Sequence, residues 1–356
     1  MWSAVHTHAT DLGRKKLSIG GTICGNEEVG ARSWQNSSRT TLPISGGSAH
    51  MSSSSRSEIE RRFLSINMWK RGDERAPNKP LLLLYALGRF SRHGNKPIPY
   101  SEVDVDLRKL LIEFGPSRQS VHPEYPFWRL KHDGIWQVER EDTLERRKGN
   151  SDPKKSELLG KGIRGGFTPD VVLALQQNPY LTKSLAHLIL EETFPSSVHE
   201  DILSAIGIDD QWSPRYVGPA KHSRRDPRFR QQVLTAYEQR CAICGFDVRL
   251  GGIQLGLDAA HIKWHQAGGP DVTENGIALC VLHHKLFDRG AFTISAEHAV
   301  EISKGLTGST GFDAHLLNFH GKKMRHPQHP DHPPKHEYLD WHRRQVFQGP
   351  PRYFTP

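Results

Sequence analysis

From Glu58 onward the chain alternates between stretches whose apolar residues recur with helical spacing and polar stretches that interrupt them. IERRFLSINMWKRG places Ile59, Phe63, Leu64 and Met68 near i, i+4 spacing, which predicts a helix. In NKPLLLLYALGRF, Pro80 occupies a first-turn position where its missing N–H costs nothing. The run after it is apolar nearly all round, so it predicts a core helix. Ser101 is placed to cap SEVDVDLRKLLIEFG, with Asp104 at the third helical position and Gly115 as the stop. Residues 126–138, PFWRLKHDGIWQV, predict a hairpin: aromatic-rich strands flank an Asp133-Gly134 turn. TPDVVLALQQN and LTKSLAHLILEETF predict two amphipathic helices, and Pro195 closes the second. A further helix begins at Asp226 and Pro227 and runs through RFRQQVLTAYEQR. LGLDAAHI then predicts a strand, and another helix starts near Leu282.

The polar stretches set the boundaries. Residues 1–55 are rich in Ser, Thr and Gly without a sustained period, and form a disordered lead-in with Met51 as a candidate start. RRKGNSDPKK (146–155) is a basic loop. Residues 196–225 shift in composition and, with the residues just after, carry Arg215, Lys221, Arg224, Arg225, Arg228 and Arg230 against Asp226, which predicts a basic linker. The expected fold is therefore α+β in two domains, 56–195 and 226–356.

Charge adds a partner class. The net charge is +9, with 21 histidines besides, which favours a polyanion. The mean hydropathy of −0.60 and the absence of any apolar run near ~20 residues exclude a membrane helix. No apolar segment in residues 1–50 has the form of a secretory signal, so a cytoplasmic location is expected.

Cysteine placement adds chemistry. Three of the four cysteines lie in residues 241–280: Cys241 and Cys244 form C-x-x-C, and after thirty-five residues Cys280 and His283 form C-x-x-H. Two short chelating pairs supply the four positions of tetrahedral zinc, so Cys241, Cys244, Cys280 and His283 predict a closed, structural site. Such spacing also fits a reducing compartment better than a disulfide framework. His284, one residue on, points about 100° away on a helix and is left for another task.

Strand, Gly-rich loop with Asn, then helix with His is a ββα-metal arrangement. LDAAHI, NGIALC and HHKLFDRG resemble the HNH nuclease family over roughly 226–354. The resemblance implies phosphodiester hydrolysis with one divalent ion as Lewis acid, His261 as general base and His284 as metal ligand. Asn275 either positions the loop and base or reaches the metal through water. Many relatives carry Asp or His directly before the base; here Ala260 stands there. Asp258, on the same strand face as Ala260, is the candidate second ligand or else structural. Asp288 either braces the helix or touches the metal. Mg²⁺ or Mn²⁺ is expected, with Ni²⁺ or Co²⁺ as alternatives.

RAPNKPLLLLYALGRF and HPEYPFWRL resemble the sulfur-binding domain that accompanies HNH in restriction enzymes acting on phosphorothioate-modified DNA. A sulfur-substituted phosphate is larger and a weaker acceptor, so a small apolar cup within a basic surface can select it. Tyr125 and Pro126 are the expected cup; Arg75, Lys79, Arg118, His122 and Arg129 are the expected grips on phosphates or base edges. Phe127 and Trp128 are placed in the core. The implied activity is a type IV-like endonuclease on phosphorothioated double-stranded DNA. A homodimer is one route to double-strand cutting. Alternatives are an HNH nuclease directed to modified cytosine, or a catalytically silent zinc-containing DNA-binding protein.

Overall fold

A computed structural model describes residues 53–67, 72–145, 152–208, 226–328 and 332–353, with side chains from residue 56. Met51, Met68, Arg215, Lys221, Arg224, Arg225 and most of the 146–155 loop lie outside the described residues.

The N-terminal half is helical around one apolar rod. Helix α1 (Ser53–Leu64) buries Ile59 and Phe63, and α2 (Asn78–His93) buries every residue from Pro80 to Gly88. Each fully buried leucine contributes roughly 1.5–3 kcal/mol, which makes Leu81–Leu84 the thermodynamic centre of this half. Strand β1 (Ile98–Pro99) delivers the chain into α3 (Tyr100–Phe114). This helix starts one residue ahead of the expected Ser101 cap. Tyr100 N donates to Ile163 O at 2.8 Å, so sheet pairing anchors the entry without a side-chain cap, and Asp104 instead takes Arg108 and Lys155.

The expected 126–138 hairpin is not formed. Glu124–Arg129 is helix α4, followed by a 3-10 turn, Leu130–Asp133, that ends at Gly134 in the left-handed region. Strand β2 (Trp136–Val138) pairs with β3 (Arg164–Phe167), not with residues 126–129. Phe127 and Leu130, three apart, both enter the core; that is helical spacing, and the aromatic alternation concealed it. After α5 (Lys155–Gly160), helices α6 (Pro169–Gln177) and α7 (Pro179–Thr193) cover the sheet-bearing core.

The expected linker begins too early. Residues 199–206 are helix α8 (His199–Ile206), with Ile202, Leu203 and Ile206 in the same core. Helix α8 lies so close to α2 that a Cβ on Gly88 would meet Ile206 O at 2.2 Å. The boundary was missed because only three apolar positions mark α8.

The C-terminal half is built on α9 (Pro227–Ala236), a short hairpin of β4 (Arg249–Leu250) and β5 (Ile253–Gln254), and a ββα unit. That unit is β6 (Leu257–His261), β7 (Gly276–Cys280) and α10 (Val281–Asp288), with His261 opposite Gly276 in the antiparallel register. Strands β8 (Phe292–Ile294) and β9 (Val300–Ile302) and helices α11 (Thr310–His315) and α12 (His336–Gln345) complete it. Its own core surrounds Val233, Leu279, Phe287 and Phe292.

The two halves do not hang apart. Trp264, Trp341 and Val346, all C-terminal in sequence, belong to the N-terminal apolar core, and the described residues fall in one compact unit. Trp341 Nε1 donates to Asp73 O at 2.8 Å, Arg289 pairs with Glu113 at 2.7 Å, and Lys285 with Asp201 at 2.8 Å. Among the described residues no helix is long and apolar enough to cross a membrane.

Candidate active site and DNA-reading surface

Cys241 and Cys244 turn beside the end of β7, where Cys280 caps α10 and His283 sits in its first turn. The four ligand atoms lie within 4.8 Å of one another. Cys244 Sγ and Cys280 Sγ are 4.0 Å apart, and Cys241 Sγ and His283 Nδ1 are 3.7 Å apart. Tetrahedral zinc with Zn–S near ~2.3 Å requires edges of about this length, so the donor set fits the ion. His283 Nε2 donates to His315 O at 2.8 Å, which fixes the tautomer that offers Nδ1.

On the other side of β6–β7–α10 lie His261 and His284. A cleft of about 40 Å³ is lined by both, with Ala259, His265, Gln266 and Asp288 from this half and Pro195, Ser196 and Ser197 from the other. That volume accepts a water or an ion. His261 stacks on Phe229 with ring centroids 4.1 Å apart, and its Nε2 lies 2.7 Å from Asp271 Oδ1. Asp271 Oδ2 accepts from the Asp226 backbone N–H at 2.5 Å, so the start of α9 holds the carboxylate that holds the histidine. With Nε2 donating to Asp271, the basic nitrogen of the neutral ring is Nδ1.

Asn275 is fully buried and acts within the loop. Its Oδ1 accepts from Lys263 N at 2.8 Å, and its Nδ2 donates to Lys263 O at 3.0 Å and Pro270 O at 2.9 Å. Of its two expected roles, the contacts are those of a loop clamp. The clamp is tight: a Cβ on Gly269 would lie 1.8 Å from Lys263 O.

His284 stands between two carboxylates. Its Nε2 is 3.2 Å from Asp288 Oδ2 and its Nδ1 is 3.5 Å from Asp258 Oδ2. Burial opposes a charge on this ring, but Asp288 and Asp258 outweigh it and push its pKa up to about 10. The pocket therefore favours positive charge. Asp258 Oδ2 and His284 Nδ1 are separated by a span that one divalent ion with ~2.1 Å bonds can bridge, so the pair fits a metal. Asp288 braces: besides His284 it accepts from Trp264 Nε1 at 3.0 Å and from Ser197 Oγ.

The expected grips separate into two groups. His122, Tyr125 and Arg129 meet on one surface: His122 and Tyr125 stack at 4.8 Å, and Arg129 lies 4.8 Å over the Tyr125 ring. Glu124 Oε1 holds His122 Nδ1 at 2.9 Å, and Asp152 holds Arg129 at 2.6 Å. Arg118 is half-exposed near Glu74. Lys79 instead spends its ammonium on Asp133 at 2.5 Å and Asn67 O at 2.7 Å. Arg75 is buried in the joint, donating to Gln345 O at 2.8 Å and Phe114 O at 2.9 Å with its guanidinium 3.9 Å over Trp264. The expected grip of Arg75 is thus corrected, since a buried, fully engaged guanidinium does not face DNA, while Lys79 is half-buried with its ammonium on Asp133 and Asn67. Pro126 is also buried, so of the two expected cup residues only Tyr125, 38% exposed, reaches the surface.

Sequence reasoning missed Asp271, Ser197 and Trp264. A histidine base calls for an orienting acceptor, and Asp271 stood in the Gly-rich loop before Asn275. Nothing local marked Ser197.

Residues 56–211 match the model of a ScoMcrA-like DNA sulfur-binding domain, and residues 241–295 match that of an HNH endonuclease. No curated protein matches the chain. Among solved structures, the sulfur-binding domain of ScoMcrA complexed with phosphorothioated DNA is 23% identical, with 42% of this chain and 95% of that chain covered and a TM-score of 0.37. The type IV phosphorothioation-dependent restriction endonuclease ScoMcrA is 23% identical over 47% of this chain and 32% of that one, with a TM-score of 0.35. The chain thus spans about a third of that enzyme. The modification-dependent TagI restriction endonuclease is 24% identical over 39% and 41% respectively, with a TM-score of 0.26.

Proposed function

Starting from a chain that carries a ScoMcrA-like DNA sulfur-binding domain followed by an HNH endonuclease domain, and is thereby a nuclease, we propose a modification-dependent restriction endonuclease. It recognises phosphorothioate linkages in double-stranded DNA and hydrolyses a phosphodiester bond nearby. One observation carries the hydrolytic part: His261, anchored through Nε2 on Asp271, and His284, set between Asp258 and Asp288, line one cleft.

His261 Nδ1 accepts the proton of the attacking water, while Asp271 stabilises the imidazolium that results. Asn275 keeps the 263–275 loop closed so that the ring stays aimed. Asp258 and His284 would hold a divalent ion, Mg²⁺ or Mn²⁺ by donor type, which when bound neutralises charge on the phosphate and the leaving oxygen. Zinc on Cys241, Cys244, Cys280 and His283 holds α10 against β7 and takes no part in the cut. On the reading side, the exposed Tyr125 ring, beside His122 and Arg129, offers sulfur an apolar surface next to a basic side chain. One centre nicks one strand, so cutting both takes a homodimer or two encounters.

The test is a matched pair of duplexes, one with a single phosphorothioate, assayed for binding and for Mn²⁺- or Mg²⁺-dependent cleavage. The sulfur-bearing duplex should bind more tightly and be cut, and His261→Ala should abolish cutting with zinc retained. Tyr125→Ala should shrink the preference for sulfur more than the total affinity. Equal affinity for the two duplexes would refute the sulfur reading; no cleavage under any divalent ion would refute the nuclease mechanism.

A further inference from the structure

The carboxylate of Asp288 receives two hydrogen bonds and pairs with His284, and these partners come from both halves of the molecule. Oδ1 accepts from Trp264 Nε1 at 3.0 Å; Oδ2 accepts from Ser197 Oγ and lies 3.2 Å from His284 Nε2. Ser197 lies in the 3-10 turn Ser196–Val198 between α7 and α8, inside the segment that matches the sulfur-binding domain. Asp288 is buried, and a buried carboxylate keeps its charge and its place only while its donors are present. His284 depends on it in turn. With Nε2 engaged by Asp288, Nδ1 is the nitrogen directed to Asp258. The hydroxyl of Ser197 binds the same oxygen that sets this ring.

We propose that Ser197 is a positioning residue of the nuclease centre: the DNA-reading module completes the metal-holding side by fixing Asp288 and, through it, His284. The proposal rests on His284 being a metal-holding residue and adds that the HNH segment alone does not finish its own site. The wall of the cleft agrees, since Pro195, Ser196 and Ser197 close the side facing His261 and His284. Other contacts across the joint, such as Arg289 with Glu113 and Lys285 with Asp201, bypass Asp288. They provide the comparison that separates positioning from simple attachment.

The experiment titrates Mn²⁺ into the full-length, zinc-loaded chain by calorimetry without DNA, and measures kcat and KM on a phosphorothioated duplex in parallel. Ligand-orienting groups of this kind typically change metal affinity by 10–100-fold. Ser197→Ala, one bond further out, should weaken Mn²⁺ about 10-fold and lower kcat at limiting Mn²⁺, with KM for DNA within about twofold. Ser197→Thr should restore both. Glu113→Gln should lower the melting temperature and leave Mn²⁺ affinity as in the parent. Unchanged Mn²⁺ affinity in Ser197→Ala, or equal weakening in Glu113→Gln, would overturn the proposal. His284→Ala tells the two readings apart. If it keeps the Mn²⁺ site, the metal role of His284 fails and the proposal falls with it. If it loses the site while Ser197→Ala does not weaken it, only the role of Ser197 fails.

Discussion

Arg75 shows how a single side chain can look like a DNA contact and serve another end. Its charge is stripped of water and matched by two backbone carbonyls and the Trp264 face; burial pulls its pKa down to about 9, with Asp288 acting against the shift. Arg75→Ala should therefore destabilise the fold by about 3 kcal/mol, by orphaning Gln345 O and Phe114 O and opening a cavity. The salt dependence of DNA binding should stay as it was, which a melting curve and a salt titration would check together. His342 makes the opposite case of a buried group kept neutral. Burial pushes its pKa down to about 4, while its Nε2 donates to Phe287 O and Nδ1 pairs with Thr293 Oγ1. In the unfolded chain it titrates near ~6.5, so its contribution is whole above that pH and drains away as pH falls towards 4. At full loss it amounts to on the order of 3 kcal/mol. The stability gap between parent and His342→Gln should narrow across that window in pH-dependent melting. At this scale the sequence was legible where chemistry repeats in a short spacing, as in the two chelating pairs. It was illegible for Arg75, Lys79 and Ser197, because their partners lie far away in the chain and no local period encodes them.

Helix α10 is eight residues long and carries, side by side, the two histidines that the proposed function assigns to metals. His283 faces the cysteines, and His284 faces the cleft; the helix is the bar between the two sites. So short a helix has little stability of its own. On the proposed function, zinc on the Cys3His cluster and β7 supply its rigidity at one end, and Asp288 at the other. Cys244→Ser should therefore release zinc and with it divalent-ion-dependent cleavage, although Cys244 touches nothing in the cleft. Metal analysis and a cleavage assay on the same preparation would check this; cleavage surviving zinc loss would mean that the cluster does not support α10. The ββα order of strand, loop and helix was readable because each element ends on a residue with distinctive chemistry. Helix α4 was not, since six residues with a proline among them carry no helical period long enough to outvote an aromatic alternation.

The whole molecule is set by its joint. Trp264 and Trp341 stand 6.0 Å apart, edge against face, inside the core of the other half, and Arg75 lies over the first of them. Sequence composition located the change of module but not this packing, because two isolated tryptophans in a polar context have no signature of the surface they meet. On the proposed function, the joint rather than the chain between Ile208 and Asp226 would set where the cut falls. Inserting ten Gly/Ser residues there should leave the distance from the phosphorothioate to the cleavage position unchanged, as mapped on end-labelled duplexes. A distance that spreads with insert length would show that the halves part on DNA. The tryptophan pair also limits how such enzymes can be recombined. A natural shuffling event or a designed chimaera that cuts between the modules would leave two indoles facing water on the nuclease fragment and an emptied socket on the reader. If Tyr125 reads the sulfur as proposed, new specificities should arise by changing its surface within the existing reader, or by inheriting the α7–α8 corner together with the HNH segment, since a bare catalytic cassette would be sticky and incomplete.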